Sequence, residues 1–205
     1  MYLDRARCAT YTEGVRLAPT PRPPRLSRAQ LIVLVYGSLG IVAVAWSAAR
    51  GDFDIYRGPA STTSKLAASP VIGLMVGLFA VYLSRLAVQR TEWARVLHRE
   101  FHAVVHELSA KEIVILALTS SVGEELFFRG ALLPHVGLVG SSVLFAALHM
   151  RRDRRFLPWT AMSLVVGLVL GGMYLWLGDL GGPIVAHFTI NFLNLHYIAK
   201  TELRA

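Results

Sequence analysis

The chain has 205 residues, 54% of them hydrophobic, and a formal charge of +8 from 21 Lys and Arg against 13 Asp and Glu. Its charges are gathered between long apolar runs, which excludes an ordinary soluble domain and points to an all-α polytopic membrane protein. Because the basic excess sits beside those runs, it reads as orientation and attraction to anionic lipid, and nucleic acid is not an expected partner.

Residues 1–28 are rich in Pro and Arg, show no apolar periodicity and are expected to form a disordered basic tail. Cys8 within it is the sole cysteine, which rules out an intrachain disulfide and suggests an inert thiol. Residues 29–205 read as one membrane-embedded domain whose apolar runs lie at about 31–49, 66–88, 113–133, 136–150, 157–177 and 183–199. Most approach the roughly 20 residues that a helix needs to cross the hydrocarbon core, so about six spans are expected, the fourth being the shortest. Ala48-Ala49 resembles a crude signal cleavage site, but run 31–49 is longer than a usual signal core and is read as a retained helix. Residues 51–64, with Gly58-Pro59 and a Ser/Thr cluster, read as a loop on the outer side.

Between the second and third runs the pattern changes to an amphipathic helix over 91–108. Trp93, Leu97, Phe101, Val104 and Leu108 recur at helical spacing, with Arg95, Arg99, Glu100 and Glu107 elsewhere around the axis. This segment is expected to lie along the cytoplasmic bilayer surface. It also carries His98, His102 and His106 at i, i+4 steps, a row that reads as the polar flank of the helix and has, as an alternative, the spacing of a divalent-metal site. Basic residues precede the first run, follow the second at 85–99, follow the fourth at 151–155 and follow the sixth at Lys200 and Arg204. Six crossings put all four places on one side, so both termini are expected in the cytoplasm, in a cell inner membrane. Gly73 and Gly77, and Gly167 and Gly171, are small pairs that let helices approach closely.

Three motifs place expensive polar groups inside this apolar text: Glu124-Glu125-Leu126-Phe127-Phe128-Arg129, Phe145-Ala146-Ala147-Leu148-His149 and His187-Phe188-Thr189-Ile190-Asn191. On a helix Glu125 and Arg129 are i, i+4 and can form an ion pair, while Glu124 points about 100° away. Glu124 is then free to face a polar cavity and take a proton from water. The bland alternative is that both glutamates only brace helices through Arg129. His149, at the end of its run, reads by itself as an interfacial residue. In the sixth run His187, Asn191 and Asn194 share one helix face, and polar glue between helices accounts for the asparagines better than for the imidazole. A cavity holding Glu124, His149, His187 and Asn191 would supply a base, two groups to orient water or donate protons, and an amide for an oxyanion, a set suited to amide hydrolysis.

In this order on successive spans, Glu-Glu-x-x-x-Arg, Phe-x-x-x-His and His-x-x-x-Asn resemble the CPBP intramembrane proteases, which include CaaX prenyl endopeptidases and bacteriocin-processing or Abi-type proteins. The likeness covers about residues 111–199. It implies an endopeptidase acting on a membrane-associated protein or peptide, with Glu124 as base, His149 positioning the water, His187 and Asn191 stabilising the oxyanion, and Glu125 with Arg129 in support. It implies no cofactor in a glutamate-dependent route, the reading favoured here. A zinc-dependent version would use Glu124, His149 and His187 as ligands. The reading from another class is a catalytically silent membrane binding or immunity protein.

One geometric condition follows. Straight spans would hold His149 near the cytoplasmic end, His187 near the other, and Glu124 roughly 17 Å along its helix from Ile113 at about 1.5 Å per residue. Convergence requires a short or tilted fourth span, a sixth helix that starts deep in the protein, or a thin hydrated cavity.

Overall fold

The computed structural model describes residues 26–203, so most of the expected disordered tail, Cys8 included, lies outside the described residues, as does Arg204. The described chain is all-α, with one isolated bridge between Arg57 and Asp179 in place of any sheet. Its helices are α1 (Arg28–Ala49), α2 (Thr63–Arg90), α3 (Glu92–Val105), α4 (Ala110–Glu125), α5 (Leu133–Leu148), α6 (Leu157–Leu177) and α7 (Gly181–Lys200). A π-helical segment, Leu126–Leu132, joins α4 to α5, and a short 3-10 turn, Arg154–Phe156, leads into α6. Ser27 and Ser109 close capping boxes with Gln30 and Glu112, which explains why α1 and α4 start where they do.

Four helical stretches are long and apolar enough to cross a membrane: Arg28–Ala49, Thr63–Arg90, Ala110–Leu148 and Arg154–Leu177. The expected six are therefore not all reached on length and apolarity, for two physical reasons. The third and fourth runs form one helical stretch that turns back at Gly137, whose φ of 72° and ψ of 176° suit only glycine. The rings of Phe128 and Phe145 lie 5.1 Å apart, whereas 17 residues of straight helix would separate them by about 25 Å. The returning arm, residues 138–148, spans only about 16 Å at 1.5 Å per residue, roughly half the hydrocarbon thickness. The second reason is α7, whose His187, Asn191 and Asn194 lower its hydropathy because it runs through the middle of the bundle, in contact with α2, α3, α4 and α6.

The glycine pairs set the closest approaches. A Cβ on Gly73 would collide with the backbone of Gly182, and one on Gly77 would stand 2.7 Å from the Thr189 Cβ and 2.9 Å from the Ala186 carbonyl oxygen, so α2 and α7 touch backbone to backbone. Gly167 and Gly171 admit Ser142 and Leu138 of α5 against α6 in the same way. On the outside, Met75, Phe79 and Tyr82 of α2 and Leu34 and Ile41 of α1 are exposed, as expected of helices that are apolar all round and face lipid.

The loops segregate to two ends. At one, Gly58 N–H donates to the Gly178 carbonyl at 2.8 Å and Leu180 N–H to that of Tyr56 at 3.0 Å, tying 50–62 to the α6–α7 turn. At the other, Arg28 pairs with Glu107 at 2.6 Å, and Arg155 of the 149–156 connection pairs with Glu100 of α3. The basic stretches flanking α1, α3 and the α5–α6 loop thus meet at one end of the bundle.

α3 is amphipathic as expected, but its packed face is not the expected stripe. Ala94, Leu97, His98 and Val105 are buried, while Val104 is exposed. The three imidazoles stack along the helix and each bonds a backbone carbonyl: His98 Nε2 that of Thr201 at 2.7 Å, His102 Nδ1 that of Ile198 at 2.6 Å, and His106 Nδ1 that of His102 at 2.8 Å. Two of them cap the otherwise open carbonyls at the C-terminus of α7, where donors are favourable.

Candidate active site

Glu124 and Glu125 are the last two residues of α4, and the backbone widens into a π-helix directly after them. Such segments are rare and frequently mark functional sites. The widened turn is held from outside, since Ser141 Oγ donates to the Phe128 carbonyl at 2.7 Å and Ile55 packs against the bare Cα of Gly130. Gly123 allows the Tyr36 carbonyl of α1 to approach, which brings α1 against the end of α4.

Glu125 is fully buried, and Arg129 is 1% exposed. Glu125 Oε1 accepts hydrogen bonds from Arg129 Nη1 at 2.8 Å and from His187 Nδ1 at 2.7 Å. Arg129 is further held by the Gly167 carbonyl at 3.3 Å and lies over the Phe145 ring at 4.7 Å. The sequence spacing indicated the Glu125–Arg129 contact; it gave no sign that the same carboxylate would orient His187 across 62 residues.

With Nδ1 committed to Glu125, His187 presents Nε2 to Glu124, whose Oε2 is 3.8 Å away. That separation is too long for a direct hydrogen bond and short enough for one water to contact both groups. Glu124 Oε2 is buried and has no hydrogen-bond partner among the described residues. Asn191 sits one turn beyond His187, where its amide donates to Ser120 Oγ at 3.1 Å and retains a second N–H. His149 closes the short arm of α5. Its Nδ1 bonds the Phe145 carbonyl at 2.8 Å and its ring packs on Phe145 and Trp159. In the neutral ring Nε2 is then an acceptor, the state suited to holding a water O–H.

Glu124, His149, His187 and Asn191 all line one cavity of about 340 Å³, with Glu125 and Arg129 behind its wall. The convergence that straight spans would forbid is produced by the reversal at Gly137 and by α7 starting among buried residues, Gly181, Gly182 and Pro183. Sequence reasoning missed Tyr36, Arg85, His98, Ser120 and Trp159 as neighbours of this cavity. Of these only Ser120 carried a signal, as a hydroxyl one helical turn before Glu124 on the same face.

Zinc was the alternative cofactor, through Glu124, His149 and His187. Among the described residues no three His, Cys, Asp or Glu side chains are grouped, as they stand, in a way that could hold a metal ion. In the row His98, His102 and His106 each ring bonds a backbone carbonyl through one nitrogen.

Comparison with known proteins bears on the same helices. Residues 107–193 match the family described as Type II CAAX prenyl endopeptidase Rce1-like. The uncharacterized protein YpbD of Bacillus subtilis (strain 168) is 41% identical over 83 residues, which is 40% of this chain and 43% of that protein's length. No solved structure matches. The segment that carries Glu124, His149, His187 and Asn191 is thus the part of the chain that is similar to the Rce1-like family.

Proposed function

We propose that the protein is an intramembrane endopeptidase that hydrolyses a peptide bond of a membrane-associated protein or peptide, with Glu124 as the base. The observation that carries this reading is the meeting of Glu124, His187, His149 and Asn191 on one cavity while Glu125 and Arg129 stand behind it. A water between Glu124 Oε2 and His187 Nε2 gives its proton to the carboxylate as its oxygen bonds the scissile carbonyl carbon. His149 Nε2 accepts the second O–H of that water and fixes its approach. The oxyanion that forms is met by the second N–H of Asn191 and by His187 Nε2 when it carries a hydrogen, the ring being aimed by Glu125 at Nδ1. The C–N bond then breaks, and Glu124 returns its proton to the leaving amine.

The route so described uses Glu124 as the activating group and calls for no metal ion. The basic end of the bundle, by the charge rule, faces the cytoplasm in a cell inner membrane, with α3 along that surface. Cleavage of an apolar peptide library by the purified protein in detergent tests the reading. Glu124→Gln is expected to lower the rate by at least about 10²-fold, the usual share of a general base, with unchanged folded yield. Equal rates in both proteins would refute the role and favour a silent binding protein.

A further inference from the structure

A second, open cleft lies at the basic end of the bundle, between α3 and the connection that joins α5 to α6, with Phe101, Val104, Arg151, Arg152 and Phe156 in its lining. Its charges are unevenly engaged. Arg155 pairs with Asp153 at 2.6 Å and also with Glu100, so one guanidinium occupies both carboxylates of the cleft. Arg151 and Arg152 are exposed and, among the described residues, have no carboxylate within salt-bridge distance. Arg151 instead lies over the buried Phe156 ring, 4.9 Å from its centroid. Val104 on the wall of the cleft is exposed, as are Leu148, Met150 and Leu157, which flank the connection where α5 ends and α6 begins.

Two adjacent guanidinia with unused N–H donors suit the oxygens of a phosphodiester, which they can grip in pairs. A dissolved phosphate would need no apolar rim, whereas a phospholipid does: its headgroup sits where the spans end, and its acyl chains run along Leu148 and Leu157. A net negative headgroup is favoured over a zwitterionic one, because Arg151, Arg152 and Arg155 outnumber Glu100 and Asp153. The cleft also reaches toward the catalytic cavity. Phe156 meets Trp159 edge-on at 6.4 Å, Phe101 packs edge-on against both at 5.7 and 5.1 Å, and Trp159 packs edge-on against the His149 ring at 5.1 Å. Thr160 Oγ1 donates to the His149 carbonyl at 3.2 Å, which ties the start of α6 to the same residue. Arg151 and His149 thus stand at the two ends of one aromatic cluster.

We propose that this cleft binds the phosphate of an anionic phospholipid through Arg151 and Arg152, and that the bound lipid holds Phe156 and Trp159 against His149 and so sets that imidazole for cleavage. The second half rests on the endopeptidase reading, and the first is tested without turnover. Dioctanoyl-phosphatidylglycerol and dioctanoyl-phosphatidylcholine are titrated against the full-length protein in a neutral detergent, and bound lipid is counted by native mass spectrometry. The anionic lipid is expected to bind roughly 10- to 30-fold more tightly, the value of two basic residues at a membrane surface. Arg151→Gln with Arg152→Gln should erase that preference. Arg90→Gln with Lys200→Gln, which removes the same charge from exposed positions at the same end, should keep it. Glu124→Gln should bind lipid like the native protein, so loss of the cleavage reading and loss of the lipid site are separate outcomes. In a peptide-cleavage assay the anionic lipid should raise the rate of the native protein several-fold and leave that of the Arg151, Arg152 double variant unmoved. Equal binding of the two lipids, equal weakening by both pairs of substitutions, displacement of the lipid by glycerol 3-phosphate at the same concentration, or a native protein that cleaves at one rate with either lipid would each overturn the proposal. The comparison of the two lipids on the native protein holds even if the double variant fails to fold.

Discussion

Removing the Glu125 carboxylate should injure both stability and chemistry, and the two injuries can be separated. In Glu125→Ala the Arg129 guanidinium, 1% exposed, keeps only the Gly167 carbonyl at 3.3 Å and the face of Phe145. Breaking one side of a buried pair costs about 3–5 kcal/mol, which at about 1.4 kcal/mol per decade lowers the folded-to-unfolded ratio by roughly two to three and a half orders of magnitude. Replacing both partners with apolar residues of similar size removes the stranded charge, so Glu125→Leu with Arg129→Met should recover most of that loss. Catalysis should not recover, because His187 Nδ1 has lost the acceptor that aims Nε2 at Glu124. Reversible unfolding in mixed micelles, read by tryptophan fluorescence, gives the first quantity, and peptide cleavage gives the second. A single variant within about 0.5 kcal/mol of the native protein, the range of an ordinary surface substitution, would refute the reasoning, as would a double variant as unstable as the sum of the singles.

Three further outcomes are expected. Gly77→Leu must push a side chain into Thr189 and the Ala186 carbonyl, so it should destabilise by about 1–3 kcal/mol or more and part α2 from α7, lowering cleavage through α7; native-like melting would contradict the backbone contact. Gly137→Ala meets no steric neighbour within 4 Å, yet its backbone conformation excludes a Cβ, so a loss of about 1–3 kcal/mol in the same unfolding assay should come from strain alone. His98 has its imidazole pKa held below the ordinary histidine value by burial on the inner face of α3. A depressed folded pKa means that its contribution is present above about pH 6.5, the unfolded value, and is lost as pH falls through the folded one. The native protein should therefore lose more melting temperature between pH 8 and pH 5 than His98→Gln does; parallel profiles would refute it.

Much of this architecture was legible in the sequence because lipid leaves few ways to satisfy a backbone: long apolar runs become helices, and small pairs such as Gly73 and Gly77 mark where two of them touch. The i, i+4 spacing of Glu125 and Arg129 foretold their contact for the same local reason. What could not be read was long-range. Two crossings also need a reversal between the third and fourth runs, and what the local residues did not mark is its place at Gly137 and a returning arm of only residues 138–148. The histidine row of α3 looked like a flank or a metal site because its acceptors, the carbonyls of Ile198 and Thr201, lie about a hundred residues away. Arg85 looked like one more basic residue after a span, since only the packing of α2 on α7 turns it into the cavity.

The central claim is that Glu124 activates water in a cavity shared with His149, His187 and Asn191. Its most direct test compares the membrane proteomes of cells carrying the native protein and cells carrying Glu124→Gln at equal abundance. At least one membrane-associated polypeptide is expected to lose a segment in the first and to remain whole in the second. Identical processing in both strains would contradict the account.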